Sequence, residues 1–517
     1  MGDTVNSLPD IDYTAVAPML ILFGAACLGV LVEAFVPRSV RNAVQLVLSL
    51  LAMAVALFVV IKRATAGVSA ATAHTAAQAI SIDKAGLFLE GTLLVLGIVS
   101  LLLIGERTLE TGGPFVAQAA ITVGSEADRR QAARESGATE VYPLALFALG
   151  GMLLFVSSND LLVMFVALEV FSLPLYLLCA LARRKRLLSQ EAAVKYFLLG
   201  AFASAFFLFG LAMVYGYAGA VDFNSIHDAV NTSDKPFVLL MIGLAMLSIG
   251  LLFKVAAVPF HVWTPDVYQG APTPITAFMA ACTKAAAFGG LARVLYAGFD
   301  RASWNFTPVL GVIAVLTMLV GAVLAVTQTD LKRLLAYSSV ANAGYLLVGV
   351  LAGGRDGLSS MLFYLVAYGF SIIAAFALLT LVRDADGEAT HLSRWAGLGR
   401  RSPFFASIFT FLLLAFAGLP LTSGFTAKFA VFGAAIGGGQ TWLVLFGVLS
   451  SIILAFPYLR VVVMMWLSEP GDTTPSVSIP GALTSAALMI GVLVTLVLGV
   501  APSKLLELAN DAATFVR

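Results

Sequence analysis

Fourteen apolar stretches, each close to the length that crosses a lipid bilayer, take up most of this sequence and leave little of it for anything else. A spanning helix needs about 20 mostly apolar residues. Such runs occupy 14–36, 41–61, 85–104, 141–157, 160–182, 191–219, 237–262, 274–298, 307–328, 332–352, 358–383, 404–436, 441–467 and 480–501. In hydrocarbon every backbone N–H and C=O needs an internal partner, so runs of this length fold as helices. The expected fold is an all-α polytopic membrane protein of about 14 transmembrane helices. Composition agrees: 60% of the 517 residues are hydrophobic and 11% are charged, against roughly half and a quarter in a soluble domain.

Charge and cysteine usage exclude several functions. With 30 Lys+Arg against 29 Asp+Glu the net charge is +1, which leaves no surplus to hold a nucleic-acid backbone. Cys27, Cys179 and Cys282 lie far apart in apolar runs, and the four histidines are scattered. Neither set has the spacing of a zinc, haem or iron–sulfur site, so no cofactor or metal is expected in this chain and no redox chemistry of its own. No Gly-rich phosphate cradle follows a strand, which argues against an ATP-driven transporter. The first twelve residues carry Asp3, Asp10 and Asp12 but no Lys or Arg; they lack the basic start of a cleaved leader, and the first helix is expected to be retained.

Lys and Arg collect on one side of the expected membrane. One set of loops holds Arg38 and Arg41, Arg107 with Arg129, Arg130 and Arg134, the run Arg183 to Arg186, Lys332 with Arg333, and Arg383, Arg394, Arg400 and Arg401. The other set holds half as many: Lys62, Arg63, Lys84, Lys235, Arg301, Arg355, Lys504 and Arg517. Positive loops stay inside, so both termini are expected on the outer side, and the Arg183–Arg186 run reads as a topology signal. The one soluble insertion, Glu106–Glu140 with its glycine pair at Gly112, reads as a flexible inside loop.

Two spans share an unusual design. The seventh reads Leu-Leu-Phe-Lys-Val-Ala-Ala-Val-Pro-Phe-His-Val-Trp from Leu251, and the twelfth reads Gly-Leu-Pro-Leu-Thr-Ser-Gly-Phe-Thr-Ala-Lys-Phe from Gly418. Each joins a helix breaker to a lysine. They stand an odd number of spans apart, which flips equivalent positions across the bilayer, as in inverted repeats whose broken helices mark a working site.

An ionisable side chain inside a bilayer costs several kcal/mol, so each needs a partner, water or a function. Four sit well inside apolar runs: Glu169, Lys254, Lys284 and Lys428. Pro174 follows Glu169 by five residues and Pro259 follows Lys254 by five. A proline leaves the carbonyl four residues earlier without its helical donor, here those of Val170 and Val255, each next to an ionisable residue. A polar, hydrated pocket is expected beside both. Pro420 likewise frees the carbonyl of Phe416, and Gly424, one turn before Lys428, admits another backbone or water. Helix breaks are therefore expected at Pro174, Pro259, Pro420 and Gly424. Burial disfavours the charged form of a lysine or a carboxylate, and a close opposite charge restores it. A Glu169–Lys254 pair would thus act as a switch; its bland alternative is a static ion pair that fixes packing.

Other charges carry less. Glu191 and Lys195, four apart, read as an interfacial pair, with a place in a polar path as the alternative. Glu33, Glu90, Arg293 and Arg460 lie nearer span ends, where snorkelling or packing accounts for them. His261 follows the Pro259 break; hydrogen-bonded packing and proton relay are both open to it.

The stretch Phe253-Lys254-Val-Ala-Ala-Val-Pro259-Phe260-His261-Val-Trp263-Thr264-Pro265-Asp266-Val-Tyr268-Gln269-Gly270-Ala-Pro272, with Lys284 and the Gly418–Phe429 motif, resembles the antiporter-like subunits of respiratory complex I, the proton-translocating NADH–quinone oxidoreductase. The likeness covers nearly the whole chain. Lys428 stands where M-type members usually carry Glu, and the sixteen residues after Ala501 are too few for the lateral helix of the L type, so the N type is the expected member.

The resemblance implies two inverted five-helix repeats at spans four to eight and nine to thirteen. The units would then be 1–140 with its inside loop, 141–298, 299–467, and 468–517. It implies that Glu169 pairs with Lys254 on broken helix seven, that Lys284 on helix eight connects, and that Lys428 on broken helix twelve ends the proton path. His261, Lys195 and Glu191 would form a secondary path. FMN, iron–sulfur clusters and quinone would reside in partner subunits, and the partners would be other membrane-arm subunits, including neighbouring antiporter-like ones, and the lipid bilayer. The Ala- and Gly-rich composition points to a bacterial plasma membrane. A subunit of a multi-subunit sodium/proton antiporter, a non-pumping structural scaffold and, more distantly, a small-solute carrier stand as alternatives.

Overall fold

The structure, a computed structural model, describes residues 11–67, 74–76, 78–110, 113–116, 125–126, 138–384, 387–470 and 475–516. All fourteen expected spans are helical. They are α1 (Tyr13–Phe35), α2 (Arg38–Ala66), α3 (Lys84–Gly105), α4 (Val141–Ser157), α5 (Leu161–Cys179) and α6 (Arg186–Ala218). After the short α7 (Phe223–Thr232) come α8 (Phe237–Val255) and α9 (Trp263–Gly270), the two pieces of the seventh span. Then follow α10 (Thr273–Gly298), α11 (Asp300–Val326), α12 (Leu331–Leu351) and α13 (Gly354–Leu381). The twelfth span is α14 (Pro403–Ala417) plus α15 (Ser423–Gly437); α16 (Thr441–Leu467) and α17 (Ala482–Val500) complete the set, and α18 (Ser503–Ala512) trails it.

Aspartates open many of these helices. Asp12, Asp83, Asp160, Asp222 and Asp330 each accept backbone N–H groups of the first turn of α1, α3, α5, α7 and α12. The carboxylate satisfies donors that a helix start otherwise leaves orphaned. Three helices, α10, α12 and α13, are buried on almost every side, whereas α2, α16 and α17 keep most of their apolar surface outward. A helix apolar all round belongs in the centre, and one with a large outward apolar face meets lipid. Glycines bring the central backbones together: a Cβ on Gly321 of α11 would lie 2.5 Å from the Ala341 nitrogen of α12.

On the Arg-rich face a small antiparallel sheet orders β4 (Gly387–Glu388), β3 (Val382–Asp384) and β5 (Ser476–Val477), with Arg383 opposite Glu388. A two-stranded ribbon, β1 (His74–Thr75) with β2 (Ile80–Ser81), lies before α3. Of the Glu106–Glu140 insertion, Gly112, Arg129, Arg130 and Arg134 lie outside the described residues. Its piece around Phe115 is pinned: Val116 N donates to Leu181 O at 2.9 Å, and Arg183 N donates to Pro114 O at 2.9 Å.

Two expectations need correction. Pro174 does not break its helix; α5 runs unbroken from Leu161 to Cys179. A proline removes one ladder bond, and a packed membrane helix tolerates that loss. Gly424 is no break either, because it sits in the first turn of α15. Of the two accounts open to Arg293, packing holds. The residue is wholly buried, its guanidinium grips Asp83 at 2.7 and 2.9 Å, its Nε donates to Val156 O at 2.7 Å, and the Phe515 ring lies 4.6 Å from its carbon. Glu90 is buried as well and accepts from Ser157 Oγ at 2.6 Å.

Removing one partner of a buried pair leaves an uncompensated charge, which costs about 3–5 kcal/mol, while replacing both by apolar groups costs far less. Asp83→Ala should therefore lower the thermal unfolding midpoint well below that of the Asp83→Leu/Arg293→Met double variant. Equal midpoints for the two in detergent would contradict this account of the clamp.

Candidate functional site

Three lysines lie near the middle of the fold: Lys254, Lys284 and Lys428, each 6% exposed or less. Lys254 stands in the last turn of α8. The helix stops one residue later, where Ala256 adopts a left-handed conformation at φ 64°. The chain is then non-helical until Trp263, with Pro259 in the middle of the gap. The interruption is a complete unwinding and not a proline kink, so the carbonyls of Leu252 and Phe253 lose their regular helical donors in addition to that of Val255. Ala257 N donates to Leu252 O at 2.9 Å, while Ala256 N and the Trp263 indole donate to Phe253 O at 3.1 and 3.0 Å. Protein groups satisfy these carbonyls.

The Lys254 ammonium donates to Ser172 Oγ at 2.8 Å and faces the rings of Phe171, Tyr176, Tyr196 and Phe253 at 5.2 to 5.7 Å. Ring faces attract a cation at this range, more strongly when it is dry. Glu169 lies one turn before Ser172 on α5. No hydrogen bond or ion pair joins it to Lys254 among the described residues: Glu169 Oε1 is buried without a partner, in a half-buried side chain. The expected ion pair is thus not formed, and Lys254 binds Ser172, one turn along α5 from Glu169.

Lys284 follows a π-helical turn, Met279–Thr283, inside α10; such bulges recur at functional sites. Its Nζ donates to Ser339 O on α12 at 2.5 Å and lies 5.3 Å from the Tyr368 ring. Lys428 lies in the second piece of the twelfth span and reaches back across the gap. Its Nζ donates to Phe416 O and Ala417 O, the last carbonyls of α14, at 3.1 Å each. A helix end presents unpaired carbonyls and a negative dipole, and here a buried cation takes them up. The Tyr345 ring of α12 lies 4.8 Å from the same ammonium. Gly418, at φ 86°, leaves room for it. Gly424 does admit a backbone: a Cβ there would lie 1.9 Å from Ala415 O.

The secondary residues divide. Lys195 pairs with Glu191 and with Asp266, both at 2.7 Å, and Arg333 holds Asp266 from the far side at 2.7 Å. These four half-exposed or exposed groups tie α6 to α9 and α12 near the Arg-rich face. His261 lies in the gap between α8 and α9, with Nδ1 buried and unpartnered and its ring 6.5 Å from that of Tyr337.

The sequence reading missed Ser172, Ser339, Tyr345, Asp266 and Arg333. Only Asp266 and Arg333 left a signal, as opposite charges in neighbouring loops. It also took Lys332 for a loop charge, whereas Lys332 is buried at the start of α12 and donates to Ala271 O at 2.9 Å.

Known proteins match this arrangement. Residues 158–454 fit the family described as "NADH:quinone oxidoreductase/Mrp antiporter, TM". NADH-quinone oxidoreductase subunit N of Salinispora arenicola is 68% identical over 99% of both chains. The chain belongs to the subunit N family. The subunit N of Saccharopolyspora erythraea is 56% identical over 97% of this chain and 98% of its own. Among solved structures, this subunit N family member superposes on a chain of respiratory complex I from Thermus thermophilus with TM-score 0.75 and 31% identity, covering 95% of this chain and 99% of that one. A chain of the Mrp complex from Dietzia shares the fold, with TM-score 0.79 at 22% identity over 96% and 97%.

Gly424→Val should force α15 away from Ala415 and withdraw Lys428 from its carbonyls, at a cost of about 1–3 kcal/mol for overpacking. Gly433→Ala, in the same helix with open space around it, should be neutral. The two unfolding midpoints check this, and equal midpoints would count against the close approach.

Proposed function

We propose that this chain is a membrane-arm subunit of a bacterial NADH–quinone oxidoreductase and translocates protons along Glu169, Lys254, Lys284 and Lys428, driven by quinone reduction in partner subunits. The observation that carries the reading is the central helix α12, whose Ser339 carbonyl holds Lys284 and whose Tyr345 ring faces Lys428. One element thereby touches two of the three buried amines of this path. The names of the relatives favour electron transfer over an ion gradient as the energy source.

In this mechanism a perturbation reaches Glu169 from the neighbouring subunit. A carboxylate charge near Lys254 holds a proton on the amine, and moving that charge away frees it. The Ser172 hydroxyl and the ring cage keep the ammonium in place without an ion pair, so Glu169 can shift without displacing it. The proton passes to Lys284 and loads Lys428 at the α14 carbonyls. Each charge moved across the membrane costs about 2.3 kcal/mol per 100 mV, and one pKa unit is worth about 1.4 kcal/mol. Moving one charge against 100 mV therefore takes a change of about 1.6 units in proton affinity along the path.

Residues 141–298 and 299–467 form the two inverted units. Two interrupted spans five apart, α8–α9 in the first unit and α14–α15 in the second, support this assignment. Glu191, Lys195 and His261 supply a secondary path from the Arg-rich face, which is the inner one, so both termini lie outside. The chain itself carries no electrons; FMN, iron–sulfur clusters and quinone are bound by its partners.

Lys254→Ala and Glu169→Ala should abolish proton pumping in inverted membrane vesicles while the complex still assembles. Undiminished pumping by assembled variants would falsify the reading.

A further inference from the structure

On the Arg-rich face a polar cavity of about 80 Å³ opens between the Arg183–Lys185 loop, the C-terminal end of α9 and the β3–β4 hairpin. At its base sit two ionisable groups without a role in the path above. Lys332 is 4% exposed, and its Nζ lies 4.0 Å from Glu388 Oε2. Glu388 is held on β4 by the register with Arg383, and its carboxylate accepts from the Thr273 hydroxyl at the head of α10. A lysine this close to a membrane surface has the reach to extend into water. Lys332 turns inward instead and donates to Ala271 O.

The two helices that meet at Lys284 both begin at this cavity. Thr273 opens α10, which carries Lys284 eleven residues later. Lys332 lies in the first turn of α12, seven residues before Ser339, whose carbonyl holds Lys284. Seven residues are two turns, so Lys332 and Ser339 share one helix face about 10 Å apart along the axis. The hydroxyls of Ser339, Tyr368 and Tyr268 are buried together beside Lys284. Polar atoms thus mark both ends of the interval, and one short proton-carrying segment would join them.

We infer that Glu388 and Lys332 form the site where protons are taken up from the inner side and handed along α12 to Lys284. The inference rests on the proposed translocation through Lys284. The charged groups facing Lys332 are Glu388 on β4, Asp330 at the start of its own helix and Lys185 on the adjoining loop; Glu110, Arg183, Arg184 and Arg383 line the cavity beyond them. Glu388, the outermost of the pair, collects the proton, and Lys332 relays it as an ammonium that gives up one proton and regains another. The bland alternative is that Lys332 only ties down the carbonyl at the end of α9.

The test uses the whole complex in inverted vesicles, which turn the inner face to the medium. Lys332→Met and Glu388→Gln should slow proton uptake at least threefold in assembled complex. In both, the remaining rate should become steeply dependent on the pH of the medium, approaching tenfold per unit, while Glu388→Asp keeps the wild-type profile. A merely structural tie would not change the pH profile. If Lys332→Met fails to assemble, the more accessible Glu388 variants decide. Wild-type rate and profile in Glu388→Gln, while Lys284→Ala stops pumping, would overturn this inference alone. Intact pumping in Lys284→Ala would overturn the translocation reading beneath it.

Discussion

An ammonium group out of water must be given oxygen atoms, and in a membrane helix the backbone has none to spare, because every carbonyl is committed to a donor four residues on. The fold meets that constraint by interrupting its helices. Where α14 stops, its last two carbonyls turn to Lys428. Where α8 stops, the freed carbonyls are taken by the next residues and by Trp263, and Lys254 is left to a serine hydroxyl and four rings. Where α10 slips into a π-turn, Lys284 reaches a carbonyl of the helix opposite. The three lysines are thus held in three different ways. None of the three is locked to a carboxylate, which leaves each able to change its charge without breaking a strong ion pair.

The strong ion pairs stand elsewhere. Asp83 with Arg293 clamps α3 to the distant α10, and Glu33 ties Arg41 and Gln45 of the next helix to Thr139 ahead of α4. The Lys195–Asp266–Arg333 group does the same between α6, α9 and α12. The Asp83 and Glu33 clamps fix the helices, whereas the loosely held central cations, with the Lys332–Glu388 pair at the rim, titrate along the proposed path. Glu169 belongs to neither class. Its Oε1 is buried without a partner, and its helix carries exposed leucines and valines at 162, 166, 173 and 177, so a neighbouring subunit seated on that face would lie close to it.

Much of this was legible in the sequence. Length and apolarity located every span, because a bilayer imposes one length scale on all of them. The lysines stood out because charge inside an apolar run is costly, and the two Lys-bearing breaks stood out because proline and glycine sit beside them. Proline alone misled: Pro174 and Pro259 stand at the same distance from an ionisable residue, yet α5 continues and α8 ends, since the outcome turns on whether neighbouring helices hold the chain straight. The partners were not legible. Ser172, Ser339 and Tyr345 are ordinary residues in apolar helices, and only packing brings them to an amine. Lys332 was misplaced for a related reason, since a lysine at a span end reads as a surface charge until its direction is known.

The position of α12 has one more consequence. Because the same helix supports Lys284 through Ser339 and faces Lys428 through Tyr345, seven and thirteen residues beyond Lys332, a small rotation or slide of this one rod changes the surroundings of several amines together. Free energies of altering those amines should then not add. A rod of this kind makes the amines a ganged set, in which the occupancy of one site is felt at the next with no wire of contacts running directly between them.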